Sequence, residues 1–497
     1  LSATATGPAP PGRRLGATFW ALLLTSAASF MGALDNLVVT TALPAIRDDL
    51  GGGLADLEWT VSAYTLTFAV LLMLGASLGD RFGRRRMFAV GIGIFTAASA
   101  AAALSTGIGG LVAARAVQGA GAALLMPLSL TLLSAAVPAA RRGMALGVWG
   151  AVQGVAVASG PLVGGALTEH ISWHWIFWLN VPIGIALIPL VRLRLAESRG
   201  PHNRLDVPGT VLASTALFGL IYALVRGNAD GWASGPVLAG LIAAPVLLTA
   251  FVAYELRTPN PMLPMRLFRN RSFSAVNASS VLMFVGMFGS IFLLSQFLQG
   301  VGGYSPTEAG LRMLPWTAMP LIVTPIAGAL SDRIGGRPII VAGLVLQALG
   351  LALWALTVEV GFSYGSILPA LTLSGVGMAM NFATSANVLL SSVAPEEQGI
   401  ASGANNALRE MGGALGIAVL AAVFSAQGGY ETGQSFVDGI TPALWAGAAT
   451  VAVGAAAALL IHRHRPAAPA QVASATRDAA GAADAAAGGK DRNPVGV

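Results

Sequence analysis

Asp35, Arg115, Arg409 and Glu410 are ionisable residues set well inside stretches that are otherwise apolar. A charge at the centre of a membrane helix costs about 2.5–3.5 kcal/mol on insertion scales, so each demands a partner, an aqueous cavity or a function. Two acids against two arginines admit mutual neutralisation that holds helices together, and Arg409 suits such a structural or gating role. Asp35 admits more. A carboxyl group in a partly dry cavity takes up a proton more readily than one in water, and a nearby arginine opposes this. A group balanced in that way can load a proton from one side and release it when a cation arrives or the cavity reopens. Asp35 is therefore the first candidate for a coupling or substrate-binding acid, and Glu410 follows it, unless the adjacent Arg409 simply neutralises that group. Glu58, before Trp59 and Tyr64 at the outer mouth of the second apolar run, is a third; its competing reading is an exposed acid at a helix start.

The elements that must position these residues are membrane helices. The chain of 497 residues is 55% hydrophobic and 10% charged, with a mean hydropathy of +0.72, whereas a soluble domain carries about 25% charged residues. A spanning helix needs about 20 apolar residues. Runs of that kind fall at 17–39, 59–79, 87–105, 111–136, 143–167, 174–195, 207–226, 235–255, 274–299, 309–330, 338–357, 365–393, 400–425 and 441–461. They number fourteen and leave no room for a large soluble domain. Arg13 and Arg14 before the first run imitate a secretion signal, but the run is as long as a full span and many follow, so an uncleaved first helix is expected. Cysteine is absent, which excludes disulfides and thiolate metal sites, and His170, His174, His202, His462 and His464 lack ligand spacing. No metal or other cofactor is expected.

Arginine placement orients the spans. With the N-terminus in the cytoplasm, the cytoplasmic segments hold Arg13 and Arg14, Arg81 with Arg84 to Arg86, Arg141 and Arg142, Arg192 to Arg204, Arg257 to Arg271, Arg333 and Arg337, and the tail from Arg463; only Arg47, Arg226 and Arg312 fall outside. Both termini are thus expected in the cytoplasm, and the pI near 10.3 reflects topology and anionic lipid, not nucleic acid. ASLGDRFGRRR (76–86) aligns without a gap on GALSDRIGGRP (328–338), pairing Asp80 with Asp332, Arg81 with Arg333, and Gly83 with Gly335. Eight spans separate the copies. Two parallel six-helix halves with two helices inserted explain the spacing, with a substrate site at the midplane between them. The expected organisation is a cytoplasmic segment 1–16, a first half 17–205, inserted helices 206–256, a second half 257–461 and a disordered tail 462–497, whose Ala, Gly and Pro leave no apolar face.

With these motifs in order, the chain resembles the major facilitator superfamily, and within it the fourteen-span drug/proton antiporters. The loop pair 76–86 and 328–338 matches the family's loop motif, carried by Asp80, Arg81, Gly83, Arg84, Asp332 and Arg333, with Ala76 in place of the leading Gly in the first copy. LVAARAVQGAGAA (111–123) is similar to the fourth-helix motif around Arg115, Gln118 and Gly119, and GVAVASGPLVGGAL (154–167) to the fifth-helix exporter motif around Gly160 and Pro161. LDNLVVTTALP (34–44) resembles the first-helix motif of the drug antiporters, NNALREMGGALG (405–416) a thirteenth-helix pattern and WHWIFWLNVPIG (173–184) the sixth-helix signature, with His174 where an Arg is usual. Trp173, Trp175 and Trp178 read either as a binding box or as an interface belt, and the belt is favoured. Gly160 and Pro161 read as close packing or, as the resemblance implies, as a pivot that blocks proton leak.

The resemblance implies a proton-coupled efflux antiporter working by alternating access. It would export hydrophobic drugs or antibiotics, cationic ones by expectation, from a bacterial inner membrane, as a monomer, with the proton gradient as its energy source. First and fourth helices both line the central cavity in that fold, which makes Arg115 the expected partner of Asp35. Uncharged cavity candidates are Asn36, Gln118, Gln153, Asn277, Gln296, Asn381 and Asn387, with Phe284, Met287, Phe288 and Met380, since polyspecific sites favour soft, adaptable surfaces. The alternative is a dedicated exporter of one antibiotic or metabolite made by the host. A membrane enzyme or sensor lacks support, with neither a metal cluster nor a phosphate-binding G-x-x-x-x-G-K-[ST] loop in the chain.

Overall fold

A computed structural model describes residues 11–138, 142–199, 206–259, 261–394 and 397–462. Most of the N-terminal segment 1–16, Arg141, His202, Arg204 and the tail after 462 lie outside the described residues, so the expectation of a disordered tail falls there too. Among the described residues all regular structure is helical. The first half comprises α1 (Pro11–Leu50), α2 (Leu54–Phe82), α3 (Arg84–Ala103), α4 (Ile108–Ala136), α5 (Arg142–His170) and the pair α6 (Trp175–Trp178) and α7 (Asn180–Arg194). The inserted hairpin is α8 (Val207–Asp230) and α9 (Gly235–Glu255). A 3-10 turn (Met265–Arg269) then leads into α10 (Arg271–Gly300), the pair α11 (Pro306–Thr317) and α12 (Met319–Ile334), α13 (Gly336–Thr357), α14 (Tyr364–Ser391), α15 (Gln398–Gln427) and α16 (Gly433–Ala458). Thirteen spans pass on length and hydropathy as they stand, and α2, bent by 50° next to Leu72, makes the fourteenth. Helix is forced here because hydrocarbon offers the backbone no other hydrogen-bond partner.

Two departures from the apolar runs have local causes. The first span, expected to end at 39, stays helical to Leu50 because Thr40 and Thr41 turn their hydroxyls back on Leu37 O (2.7 Å) and Val38 O (3.1 Å), so polar side chains do not interrupt the helix. The tenth span breaks at Ala318, between Pro315 and Pro320, neither of which can donate a backbone hydrogen bond.

The repeat read in the loops extends to the packing. α1 lies on α5 as α10 lies on α15, α3 on α4 as α13 on α14, α2 on α4 as α12 on α14, and α3 on α7 as α13 on α16. At the matched loops Gly83 (φ 105°) and Gly335 (φ 85°) each join two helices in a backbone conformation that side chains disfavour. The hairpin leans by α8 on α2 and α15, while α9 packs chiefly on α8 and stays largely exposed.

Helix alternation puts Arg81, Arg84 to Arg86, Arg192, Arg194, Arg257, Arg266, Arg269, Arg271, Arg333 and Arg337 at one face, and Arg47, Arg226 and Arg312 at the other. The two halves are closed against each other towards that second face. Ser295 Oγ donates to Thr40 O (2.8 Å) and Gln299 Nε2 to Thr41 O (3.0 Å), joining α10 to α1. α5 meets α11 backbone to backbone: a β-carbon at Gly165 would stand 2.1 Å from Pro306 O, and one at Gly310 2.4 Å from Pro161 O. Glu169 accepts from Ser305 Oγ (2.6 Å) and Thr307 N (2.9 Å) across the same seam. Leu66 and Val70 of α2 pack with Ala414 and Ala418 of α15 under Leu217, Ile221 and Val225 of α8.

Candidate functional site

Asp35 is 1% exposed. Its Oδ2 is ion-paired with Arg115 Nη1, and its Oδ1 accepts from Gln118 Nε2 (2.8 Å) and Asn180 Nδ2 (2.8 Å), so α1, α4 and α7 converge on one carboxylate. Ser99 of α3 closes the network, with its Oγ 2.8 Å from Gln118 Nε2 and 3.4 Å from Asn180 Nδ2. Arg115 also donates through Nε to Thr60 O (3.1 Å) and through Nη1 to Gln118 Oε1 (2.6 Å), while its guanidinium lies 4.3 Å from the Tyr64 ring. Tyr64 in turn donates to Gly32 O (3.2 Å). Gly119 makes the approach of α4 to α2 possible, since a β-carbon there would lie 2.4 Å from Tyr64 O. The expected pairing of Asp35 with Arg115 is formed. Asn180, Ser99 and the Thr60 carbonyl are not singled out by the sequence; within WHWIFWLNVPIG, Asn180 is the one polar residue after His174, and that isolation is its signal.

The second arginine and acid behave otherwise. Among the described residues Arg409 and Glu410 form no close ion pair, but each acts electrostatically on the other, so the reading in which Arg409 offsets Glu410 stands beside the coupling one. Successive helical residues diverge by about 100°: the Arg409 guanidinium sits 4.4 Å from the Phe284 ring and 5.1 Å from that of Phe382, and Glu410 has a buried Oε2 with no hydrogen-bond partner among the described residues. Glu58 is 2% exposed, so it is not the solvated helix-start acid of the competing reading. In the opposite half, the phenol of Tyr430 donates to Gln296 Oε1 and lies 5.1 Å beneath the Arg47 guanidinium.

A cavity of about 1580 Å³ opens between the halves towards the arginine-rich face. Its walls carry Met126 and Thr131 of α4, Gln398 and Asn406 of α15, and Asp80 and Arg84 at the α2–α3 loop. None of the expected cavity residues Asn36, Gln118, Gln153, Asn277, Gln296, Asn381, Asn387 or Arg409 lines it. Gln118 is consumed by Asp35; Asn277 donates to Phe273 O (2.8 Å) and accepts from Asn405 (3.0 Å); Asn381 donates to Gly377 O (2.9 Å). Gln153 reaches Met126 Sδ (3.8 Å), and Asn36 is buried with its Oδ1 unbonded, whereas Asn387 is exposed. Polar type located residues inside the membrane, but Asn277, Gln296 and Asn381 donate to carbonyls of their own helices and Gln118 to the Asp35 network, away from the cavity.

At the loop motif, Arg84 pairs with Asp80 (2.9 Å) and Arg81 is exposed beside Phe82. Gly83 is buried against Glu197, which caps α3 by accepting from Arg85 N (2.9 Å) and Arg86 N (3.2 Å); Glu197 was not anticipated. In the second copy Arg333 is exposed, and the side chain of Asp332 lies outside the described residues. Gly160 fits against Leu37 and Pro161 offers its carbonyl to Gly310, so this motif sits at the seam of α1, α5 and α11. Of the three tryptophans only Trp175 is fully at the surface; Trp173 is buried and donates to Asp49 (2.8 Å), which removes it from the expected belt.

With that geometry in place, comparison with known proteins is informative. The family model described as Major Facilitator Superfamily matches residues 25–417 and 277–487. A tetracenomycin C resistance and export protein of Streptomyces glaucescens is 36% identical over 414 residues, covering 82% of this chain and 77% of that one. The multidrug resistance protein Stp of Mycobacterium tuberculosis is 37% identical over 407 residues (82% and 75%), and the puromycin resistance protein pur8 of Streptomyces alboniger is 36% identical over 430 (84% and 83%). In fold the chain is similar to a bacterial homolog of the human lysosomal transporter Spinster, solved inward-facing and unoccupied, with a TM-score of 0.63 at 15% identity over 91% of this chain and 98% of that one.

Proposed function

This chain belongs to the major facilitator superfamily, and from that premise we propose that it is a proton-driven exporter of hydrophobic antibiotics or drugs in a bacterial inner membrane. The positive-inside rule assigns the arginine-rich face to the cytoplasm, so the described conformation is open inward and sealed outward. A cavity of about 1580 Å³ exceeds the usual span of about 300–1,000 Å³ for small-molecule pockets, which suits bulky or varied cargo. Substrate enters it from the cytoplasm or the inner leaflet, the halves rock about the seam, and the cargo leaves on the other side.

The observation that carries the coupling is the closed network on Asp35. A proton delivered to that carboxyl removes the counter-charge of a wholly buried Arg115, and leaving such a charge alone costs about 3–5 kcal/mol. That is enough to shift a balanced two-state transporter from one conformation to the other. Proton and cargo then compete through conformation rather than by contact at Asp35. Glu410, with one oxygen unbonded, is the acid placed to meet a cationic group or to relay the proton, and Glu58 serves the outer side. The bilayer, protons and one small-molecule cargo are the partners of a monomer.

In proteoliposomes, uptake of a substrate should require a pH gradient, and Asp35→Asn should abolish gradient-driven movement while the protein still inserts. Coupling that survives the substitution overturns the assignment. The dedicated-exporter alternative draws on the likeness to single-compound resistance proteins; resistance conferred on a sensitive host against one compound class alone would select it over a multidrug role.

A further inference from the structure

The inserted hairpin carries a pair of acids, a buried Glu255 and a half-buried Asp206, that the transport reading leaves unused. Asp206 caps the start of α8, its Oδ1 accepting from Gly209 N (2.8 Å), and Glu255 closes the end of α9 at 3% exposure. Their carboxyl groups lie side by side at Gly209. A β-carbon at Gly209 would lie 2.6 Å from Asp206 Oδ2 and 2.7 Å from Glu255 Oε1, so both oxygens converge where only glycine leaves room. Glu255 Oε1 receives no hydrogen from any described donor. A hydrogen held between two such oxygens would join them, whereas two like charges packed against one glycine repel.

The same pair grips the linker into the second half. Asp206 Oδ2 accepts from Met262 N (3.1 Å) and Glu255 Oε2 from Leu263 N (3.1 Å). Of the described charged groups, Asp80, Arg84, Arg266 and Arg269 share the cavity wall with the pair; Arg84 is taken by Asp80 and Arg266 by Glu397 (2.8 Å). Arg257, two residues after Glu255, is exposed.

We propose that Asp206 and Glu255 form a binding site for a single shared proton, and that this proton locks the 261–263 linker to the inserted hairpin at the mouth of the large cavity. With the proton bound, one hydrogen lies between Asp206 Oδ2 and Glu255 Oε1, while Oδ2 also accepts from Met262 N and Glu255 Oε2 from Leu263 N. When it is lost, two negative charges repel, the pair separates, and the linker is freed. The lock is therefore closed at low pH on the arginine-rich face and opens as pH rises there. It does not depend on the transport reading.

The test uses the full chain in lipid nanodiscs. Infrared spectra at neutral pH should show a protonated-carboxyl C=O band that is lost in Glu255→Gln and equally in Asp206→Asn, because either amide supplies the hydrogen itself. Exchange of the Met262 and Leu263 amides, corrected for its intrinsic pH dependence, should accelerate in the wild type at the pH where the band disappears, and should become independent of pH in Glu255→Gln. A band unchanged in both variants, or linker protection that does not follow the band, overturns the proposal.

Discussion

Arg115 donates through Nε and Nη1 to Asp35, Gln118 and Thr60 O and rests on Tyr64, a cage built from α1, α2 and α4, while its buried Nη2 has no hydrogen-bond partner among the described residues. Arg115→Met should therefore destabilise the protein by about 3–5 kcal/mol, chiefly through the unpaired Asp35 it leaves behind. Adding Asp35→Leu should restore most of the thermal stability in detergent while transport stays absent. If the double variant is no more stable than Arg115→Met, the pair is not the unit described. Asn180→Leu should cost about 1.5–3 kcal/mol, the value of one hydrogen bond to a charged group, read as a fall in unfolding midpoint. The ion pair was legible because charges inside apolar runs are few and must meet. Its uncharged supports were not, since asparagine and serine are cheap enough inside a membrane to occur without a function, and only three-dimensional convergence separates Asn180 from Asn381.

Among the elements, the loops at Gly83 and Gly335 were readable as a repeat, and positive φ at both explains why glycine recurs there. Gly83→Ala meets that strain together with Glu197 at 2.9 Å and should cost about 1–3 kcal/mol, whereas Gly109→Ala, in open space, should be neutral. Equal effects on unfolding midpoint would contradict this account. Helix ends were less legible than helix centres: hydropathy falls at Val39, but the backbone of α1 runs on to Leu50 because its threonines bond within the helix. The burial of Glu58 was hidden for a related reason. Nothing near it in sequence says that the folded chain will bury a carboxyl at the start of α2.

At the scale of the molecule, outward closure rests on backbone contact between α5 and α11. Gly165→Leu should wedge that seam and populate the opposite conformation. The chain has no cysteine, so a single Cys in place of Gln299 reports the change directly: a membrane-impermeant maleimide applied from the side opposite the arginine-rich face should label it faster in the Gly165→Leu background. Equal labelling would mean that the seam does not control closure. Burial of Asp35 has a wider consequence. Under the proposed coupling role, a carboxylate sealed away from the large cavity in this conformation puts proton handling and cargo contact in separate parts of the protein, each free to change alone. Substitutions at Met126, Thr131 or Asn406 on the cavity wall can then alter which compounds are carried without disturbing the engine, a division of labour under which one scaffold can diversify across chemically unrelated cargo.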